Sequence, residues 1–365
     1  MKIVYHHSAK WISNSPSITF ITFTAIGFAK AGYEIHLVVW DNSDESTENI
    51  LKNTFNQKYI PENLHIQRIK AKNKRDFYKN SFSKINKLDV DLVISRALTF
   101  LPSLIKLKSK KVKVYFEMHD LFVELIKRKD IIRRKKAKHY LTEKLFFSRL
   151  DGIICLQKAQ EKIIKKHFDQ KTIIAPTGLE IQDIHIDLNK RENWAYIGSF
   201  DEHKGVFDFL RSIKNYPNIP VKLIGGKSQN EIDSIKEIVN GICPNNEVVF
   251  TGWLSKSELK KELEDVKFGI IPLKDTYFNR YLTSPLKLFD YYSNQIPPII
   301  SDLDSIRDLV IDGESGFLSS WSDYSIEKIL SIRDEDYLKL CNNIKVLSQD
   351  LTWEKRAKKI MESIL

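Results

Sequence analysis

The segment that decides the fold reads Tyr281-Leu-Thr-Ser-Pro-Leu-Lys-Leu-Phe-Asp290-Tyr-Tyr-Ser-Asn-Gln-Ile-Pro-Pro-Ile-Ile-Ser-Asp302. It predicts a loop, a helix that opens at Ser284 and Pro285, a turn, and a short apolar strand. Ser284 suits a helix cap and Pro285 suits the first turn of a helix. A helix that leads into a buried strand indicates an α/β protein.

The start of this helix also predicts an anion site. Free N–H groups in a first helical turn attract phosphate, and Lys287 adds a positive charge there. Asp290 follows three residues later, so its carboxylate lies near the same face of the helix. A phosphate cradle, a cation and a hydroxyl-binding carboxylate within seven residues suit a nucleotide diphosphate sugar. An ordinary capped amphipathic helix is the alternative interpretation.

Outward from this segment, short β-branched runs alternate with longer amphipathic stretches, which predicts parallel sheets covered by helices. The length of 365 residues indicates about two domains. We predict one domain over residues 1–178 and another over 179–350, with a final helix at about 351–365. The predicted strands are Ile3–Tyr5, Ile35–Val39, His65–Ile69, Leu92–Ser95, Val112–Phe116, Gly152–Cys155, Thr172–Ala175, Trp194–Ile197, Val221–Ile224, Val248–Phe250, Phe268–Ile271, Pro298–Ile300 and Phe317–Leu318.

The composition predicts a soluble globular protein and argues against a membrane-spanning one. Hydrophobic residues make up 42% and charged residues 29%, as in soluble globular proteins, and no apolar run approaches the roughly 20 residues of a membrane span. The N-terminus reads as a strand and not as a signal peptide. Cys155, Cys243 and Cys341 have neither metal nor redox spacing, so we expect a reducing cytoplasm.

The net charge of +11 is unevenly spread, because Lys127 to Lys138 holds eight basic residues and one acid, Asp130. Two isoleucines interrupt the charges and Phe146 and Phe147 follow them, which favours an anionic membrane surface or a lipid-linked acceptor. A solvated helix is the alternative. A nucleic acid partner is not predicted, since neither an aromatic platform nor a recognised motif accompanies the cluster. The centre of the cluster is Arg133, Arg134, Lys135 and Lys136.

The opening segment resembles the donor site of the GT-B glycosyltransferases, in particular the retaining family 4 enzymes. Many of them carry a Ser-Pro-x-Lys-x-x-Glu-Tyr block before a strand like Pro-Ile-Val-Ala-Ser. The resemblance covers nearly the whole chain and implies an α/β protein of two Rossmann-like, doubly wound domains that face each other across a cleft. It also implies that Asp290 binds the ribose of the donor. Leu351-Thr-Trp-Glu-Lys-Arg-Ala looks like the final helix, which returns to the N-terminal domain.

Three further loops belong to the predicted donor site. Gly198-Ser-Phe-Asp-Glu-His-Lys204 follows a strand and suits an anion, and in the family Lys204 would contact the diphosphate. Gly225 and the loop Thr251-Gly-Trp253 end two other strands, where open α/β sheets bind ligands. In GT-B relatives the loop equivalent to Thr251–Leu254 meets the nucleobase; turn chemistry is the alternative for Gly225, and simple packing is the alternative for Trp253. The predicted donor-binding residues are Gly198, Lys204, Gly225, Thr251, Gly252, Trp253, Ser284, Pro285, Leu286, Lys287 and Asp290.

A second set of residues is predicted in the first domain. Phe116-Glu-Met-His119-Asp120 follows a buried strand and resembles the Tyr-Glu-x-His-Asp run of family 4, where the histidine contacts the transferred sugar. We therefore predict that His119 is catalytic and that Glu117 and Asp120 orient it; a structural histidine is the alternative. Ser15, in the loop Ser13-Asn-Ser-Pro-Ser17, is predicted on the acceptor side.

The resemblance implies a glycosyltransferase of the hexosyl type. It would move a sugar from a UDP or GDP donor to a saccharide or lipid-linked acceptor with retention of configuration, in surface polysaccharide or glycolipid synthesis. We expect it in the cytoplasm or on the inner face of the membrane. We expect no cofactor and no metal, because two lysines take the place of a metal, and because Asp89-Val-Asp91 merely precedes a strand.

Two rival functions remain open. One is a GT-B nucleotide-sugar epimerase or hydrolase, which would turn over the donor without an acceptor. The other is a catalytically weak binding scaffold. Leu282 and Ser199 favour the scaffold, since they stand where many relatives have Glu and Arg.

Overall fold

The computed structural model describes residues 1–13, 15–57, 59–226 and 228–365. Contacts divide the chain into two units. Unit 1 comprises Met1–Gly178, Tyr281–Ser284 and Leu351–Leu365, and unit 2 comprises Leu179–Arg280 and Pro285–Asp350.

Unit 1 is built on a sheet of seven parallel strands in the order β3-β2-β1-β4-β5-β6-β7. The strands are β1 (Lys2–Lys10), β2 (Glu34–Trp40), β3 (Leu64–Ile69), β4 (Leu92–Ser95), β5 (Lys113–Glu117), β6 (Gly152–Cys155) and β7 (Thr172–Ile174). The helices are α1 (Pro16–Lys30), α2 (Thr47–Phe55), α3 (Lys74–Lys87), α4 (Leu101–Leu104), α5 (Arg133–Phe146) and α6 (Lys158–His167). All residues of β4 and β6 are buried, as expected for parallel strands covered on both faces.

Unit 2 has a six-stranded parallel sheet in the order β10-β9-β8-β11-β12-β13. Its strands are β8 (Asn193–Ile197), β9 (Val221–Ile224), β10 (Val248–Gly252), β11 (Val266–Ile271), β12 (Pro298–Ser301) and β13 (Phe317–Ser319). Its helices are α7 (Val206–Ile213), α8 (Gln229–Ile242), α9 (Lys256–Glu262), α10 (Tyr277–Tyr281), α11 (Leu286–Ser293), α12 (Asp323–Leu330) and α13 (Asp334–Ser348). The strand order reverses between β8 and β11, and the carboxyl ends of strands at such a point are where open α/β sheets bind ligands.

The last helix, α14 (Trp353–Ile364), belongs to unit 1. It packs closely on α1, since a Cβ added to Gly27 would lie 2.3 Å from the carbonyl oxygen of Trp353. A buried ion pair adds to this packing, because a guanidinium nitrogen of Arg356 lies 2.7 Å from Oε1 of Glu117 at the end of β5. Helix α14 is thus held to unit 1 by both apolar and charged contacts.

Tyr281–Ser284 also belongs to unit 1, although the sequence predicted it within the second domain. Two glutamines at the start of α6 explain why this segment joins unit 1, because their side-chain amides bond to its backbone. Gln157 donates to the carbonyl oxygen of Tyr281 at 2.7 Å, and Gln160 donates to that of Leu282 at 2.9 Å. These bonds satisfy carbonyl groups at the end of α10 and just after it, where a helix leaves its last carbonyls without an intrahelical partner.

The predicted fold class is confirmed, since both units are α/β with wholly parallel sheets. Every predicted strand is present, with ends that differ by a few residues. The largest difference is in β1, which was predicted to end at Tyr5 and continues to Lys10. A register shift between His6 and Lys10 explains this extension, because an irregular pairing with β2 leaves no simple alternation in the sequence.

Candidate active site

Helix α11 begins differently from the sequence prediction. The helix starts at Leu286, the preceding Pro285 is extended (φ −71°, ψ 118°), and none of the described side chains caps it. The prediction that Ser284 caps this helix was wrong, because its hydroxyl lies 2.9 Å from that of Thr177 within unit 1. The first-turn N–H groups of α11 therefore have no side-chain cap, and a bound anion could accept from them.

Lys287, in the first turn of α11, has a buried ammonium group. Its Nζ lies 3.7 Å from the ring centroid of Tyr196 and has no hydrogen-bond partner among the described residues. Burial holds the pKa of Lys287 well below its ordinary value, and the nearby positive charge of Lys204 lowers it further, whereas Asp290 opposes the shift. A desolvated cation beside another cation is unfavourable until an anion reaches both.

Lys204 comes from the loop that follows β8. This loop starts at Gly198, makes a short 3₁₀ turn over Glu202–Lys204, and leads into α7. Burial lowers the pKa of Lys204, and Asp201 partly offsets that effect. Two lysines from separate helix starts therefore lie near each other, and their binding of an anion stays a prediction.

The three loops after β8, β9 and β10 lie side by side. The N–H of Gly225 donates to the carbonyl oxygen of Gly252 at 2.8 Å. A Cβ on Gly225 would lie 2.2 Å from the carbonyl oxygen of Gly198, and its φ of +136° also disfavours a side chain. A Cβ on Gly198 would lie 3.3 Å from Nζ of Lys287. These glycines keep the backbone open beside the buried ammonium, where a ligand could approach closely.

Asp290 lies one turn beyond Lys287 on α11. Burial raises the pKa of the Asp290 carboxyl, and the positive charges of Lys256 and Lys287 oppose that rise. Sequence reasoning missed Lys256, the first residue of α9. The capping box of Ser255 and Glu258 indicates the start of this helix, but not that Lys256 lies near Asp290.

In the predicted nucleobase loop, Thr251–Trp253, the hydroxyl of Thr251 has a hydrogen-bond partner within the loop, whereas the side chain of Trp253 is largely exposed. The Thr251 hydroxyl donates to the carbonyl oxygen of Gly252 at 3.1 Å. Trp253 is 60% exposed, so simple packing does not explain it. An exposed indole at the end of β10 is available to stack on a planar ligand.

His119 follows β5 in unit 1 and is an exposed residue. Desolvation lowers the pKa of His119, and the charges of Arg96, Lys136 and Lys74 lower it further, to about 3, so the imidazole is neutral at pH 7. A neutral ring can donate from one nitrogen and accept at the other, which suits contacts with sugar hydroxyls.

The prediction that Glu117 and Asp120 orient His119 was wrong. Glu117 is buried and accepts from the Tyr5 hydroxyl at 2.5 Å and from Arg356 at 2.7 Å. Asp120 accepts from Arg128 at 2.7 Å. Both carboxylates are therefore engaged in ion pairs and hydrogen bonds that stabilise unit 1.

Two polar residues that the sequence prediction missed lie near His119. Arg96 follows β4, packs its guanidinium 3.9 Å from the ring centroid of Phe20, and leaves Nε without a hydrogen-bond partner among the described residues. His7 is buried in β1, and its Nδ1 also lacks a described partner. Desolvation and the charge of Arg96 lower the pKa of His7 to about 2. The available signal was that His7 lies in β1 and Arg96 directly follows β4, the two neighbouring strands between which the strand order reverses.

The basic cluster begins α5, whose first turn is Arg133, Arg134, Lys135 and Lys136. The first three are exposed, and Lys136 is half-buried with Nζ 5.3 Å from the ring centroid of Phe122. Arg128 is buried and paired with Asp120 and Asp130, so it adds no surface charge. Phe147 is also buried, which removes it from the predicted membrane-facing residues.

The predicted acceptor-side loop lies before α1. Ser15 precedes the helix, and its hydroxyl lies 2.8 Å from that of Ser17. Asn14, in the same loop, lies outside the described residues. In the part of the chain that the structure describes, no helix has the length and apolar character needed to cross a bilayer.

Comparison with known proteins supports the assignment of the fold. Residues 191–332 match the model of the family described as glycosyl transferases group 1. No curated protein matches the sequence.

Solved structures match over nearly the whole chain. Sucrose-phosphate synthase from Thermosynechococcus elongatus is 14% identical with a TM-score of 0.78, covering 99% of this chain and 98% of that one. A mutant of S. aureus TarM in complex with fondaparinux, α-GlcNAc-glycerol and UDP is 12% identical (TM-score 0.74, 100% and 99% covered). Anabaena HepE in complex with UDP-glucose is 12% identical (TM-score 0.72, 100% and 99% covered). The predicted resemblance to the GT-B glycosyltransferases is therefore confirmed: the chain has the GT-B fold, and its residues 191–332 match the glycosyl transferases group 1 family.

Proposed function

We propose that this protein is a glycosyltransferase that takes a nucleotide diphosphate sugar of the UDP or GDP type and transfers the sugar to a saccharide or lipid-linked acceptor. The family match over residues 191–332 supports transfer chemistry. The complexes of HepE with UDP-glucose and of TarM with UDP support a nucleotide sugar as donor. Surface polysaccharide or glycolipid synthesis, at the inner face of the membrane, is the setting that this chemistry suits.

The observation that carries the proposal is the pair of lysines in unit 2. The Lys287 ammonium is buried without a described hydrogen-bond partner, and the charge of Lys204 lowers its pKa further. A diphosphate would bring two phosphate groups, as charged hydrogen-bond acceptors, to both cations. The open backbone at Gly198 and Gly225 allows a phosphate to approach, and the uncapped start of α11 supplies N–H donors.

The remaining residues of unit 2 fit the other parts of the donor. Asp290 would accept hydrogen bonds from the ribose hydroxyls, with Lys256 keeping the carboxylate charged. Trp253 and the backbone of Thr251–Trp253 would contact the nucleobase, since the indole is exposed. Leu286 would contribute its backbone N–H at the start of α11.

In the reaction, the bond between the anomeric carbon and the diphosphate oxygen breaks, and a bond forms between that carbon and an acceptor hydroxyl. The acceptor hydroxyl would attack from the face that the diphosphate leaves and pass its proton to the departing diphosphate, so the configuration would be retained without a separate protein base. Lys204 and Lys287 would stabilise the charge that develops on the leaving group. His119, neutral at pH 7, would hold a hydroxyl of the transferred sugar.

The test is calorimetry with UDP, GDP and UDP-glucose on the wild type, Lys287→Met and Asp290→Asn. We expect Lys287→Met to weaken binding by about tenfold or more, because it removes a charge-assisted hydrogen bond. Lys261→Met, an exposed lysine of α9, is the matched control and should bind normally. Equal affinity in all variants would overturn the donor site, and turnover of UDP-glucose without any acceptor would favour a hydrolase or epimerase.

An anionic membrane surface is the second partner in the proposal. Cations in the first turn of α5 oppose the helix dipole, and an anionic surface would offset that cost. Large apolar side chains are also exposed on or near α5: Ile126 (82%), Ile132 (61%), Leu141 (54%) and Leu145 (57%). Basic and exposed apolar residues together are typical of peripheral membrane binding.

A further inference from the structure

A cluster of three potential metal ligands lies in unit 1. One ligand atom from each of Glu34, His36 and His65 lies within 4.8 Å of the others. Glu34 and His36 are alternate residues of β2, so their side chains share one face of the sheet. His36 pairs directly with His65 of β3 in the parallel register, and their ring centroids are 4.7 Å apart. Two strands therefore bring two imidazoles and a carboxylate to one point.

The distances within the cluster approach those around a tetrahedral ion. Oε1 of Glu34 lies 3.3 Å from Nε2 of His36 and 3.9 Å from Nε2 of His65. Bonds of about 2.0–2.2 Å to a tetrahedral Zn²⁺ place ligand atoms roughly 3.3 Å apart. The side chains of Glu34 and His65 are each 41% exposed, so both can adjust by a few tenths of an ångström. Water would complete the coordination.

His36 also has an outer partner of the kind that metal-bound histidines use. Its Nδ1 lies 3.3 Å from the side-chain amide of Gln67 in β3. With a metal on Nε2, the Nδ1–H would donate to the amide oxygen of Gln67 once the amide is turned over. The His36 side chain is only 9% exposed, so its ring orientation is set before any ion arrives.

Lys2 competes with an ion for this carboxylate. Its Nζ lies 3.3 Å from Oε1 of Glu34, and its side chain is 33% exposed. The lysine can therefore pair with the carboxylate when no metal is bound and swing into solvent when one is. This arrangement predicts that removing the Lys2 charge strengthens metal binding.

We propose that Glu34, His36 and His65 bind one divalent transition metal ion, for which Zn²⁺ is the best match to a set of two imidazoles and one carboxylate. The ion would join β3, the edge strand of the unit 1 sheet, to β2. The ligands lie toward the amino ends of these strands, whereas His119 follows the carboxyl end of β5. The site therefore stabilises unit 1 and is independent of the proposed transfer reaction.

The experiment uses the full chain, stripped with a chelator and dialysed, without nucleotide. ZnCl₂ is titrated by calorimetry and CoCl₂ by visible absorption, on the wild type and the variants His65→Ala, Gln67→Leu and Lys2→Met. We expect one ion per chain in the wild type, with tetrahedral Co²⁺ bands. His65→Ala and Gln67→Leu should weaken binding by at least about tenfold. Lys2→Met should strengthen it by about fivefold, since one nearby positive charge is lost.

His185→Ala is the matched control, because it removes an exposed histidine from unit 2. It should bind Zn²⁺ like the wild type, and Zn²⁺ should raise the Tm of both. Circular dichroism identifies any variant that fails to fold, and His65→Gln then replaces His65→Ala. Absence of a 1:1 complex in the wild type, or equal binding by the wild type and the His65 variant, would overturn the proposal.

Discussion

At the residue scale, the charged form of Lys287 is in an unfavourable environment unless an anion is bound nearby. Its ammonium is buried against the Tyr196 ring, and Lys204 adds a second positive charge nearby. The contact with the ring face recovers part of the lost hydration. In the proposed donor site, a bound diphosphate would offset the loss of stability that this buried cation causes.

The first prediction is that Lys287→Met stabilises the protein when no nucleotide is bound. Methionine fills much of the same space and removes a buried cation that has no described hydrogen-bond partner. We expect the free energy of unfolding to rise by about 1–3 kcal/mol, measured by urea denaturation without nucleotide. The same variant should gain little from added UDP. A loss of stability would show that the ammonium already has a favourable environment.

The second prediction concerns the pH dependence of UDP binding. The pKa of Lys287 is lowered in the free protein, and a bound diphosphate would raise it. Between these two pKa values binding takes up a proton, so the affinity for UDP should fall as the pH rises toward 10.5, the ordinary value for lysine. Calorimetry in buffers of different ionisation enthalpy measures this uptake. Equal proton uptake by Lys287→Met would assign it to another group.

Single residues also show where sequence reasoning stops. Lys204 and Lys287 were predicted from their positions at two helix starts, and the structure brings them together. Lys256 was not predicted, because its proximity to Asp290 depends on how α9 packs. Ser284 was predicted as a helix cap from local propensity alone. Its bond to Thr177, more than a hundred residues away, is a tertiary contact that overrides that propensity.

At the element scale, the strands were predictable because buried parallel strands are short apolar runs between polar segments. The pairing of β2 with β3 was not predictable in this way. Glu34 and His36 show the alternation of a strand, but their proximity to His65 depends on the register of two strands that are distant in sequence. The metal ligands were therefore missed for the same reason that Lys256 was.

Helix α5 carries the third prediction, on membrane binding. Changing Arg133, Arg134 and Lys135 together to Ser should weaken binding to vesicles that contain phosphatidylserine. At about 1 kcal/mol for each basic residue near the surface, the loss is roughly a hundredfold. The attraction should also weaken with salt, because exposed charges are screened within about 10 Å at 0.1 M. Co-sedimentation with neutral and anionic vesicles measures both effects.

The control for α5 makes the same change in charge elsewhere. Lys328, Lys339 and Lys345 are exposed on helices α12 and α13 of unit 2, and all three are changed to Ser. Vesicle binding should then remain close to that of the wild type. An equal loss in the control would mean that the overall charge of +11, and not the α5 surface, attracts the membrane.

At the scale of the whole molecule, both units repeat one plan. Each sheet reverses its strand order beside its first strand, between β1 and β4 in unit 1 and between β8 and β11 in unit 2. In each unit the polar residues of interest follow the carboxyl ends of the strands around that point. The proposed donor contacts all come from unit 2, so the donor site can be tested separately from His119.

The last prediction uses this division. At a UDP concentration about 100 times its dissociation constant, binding stabilises the bound conformation by about 2.7 kcal/mol, or roughly a hundredfold in the population of open states. Hydrogen exchange should therefore slow in the loops 198–205, 225–226 and 251–253 and in the first turns of α11. Amides of β2 and β3 should be unchanged by UDP and slowed by Zn²⁺. Because Lys287→Met removes the central cation, it should abolish the UDP effect and leave the Zn²⁺ effect intact, whereas His65→Ala should do the reverse. Protection by UDP that persists in Lys287→Met would place the nucleotide somewhere other than the two lysines.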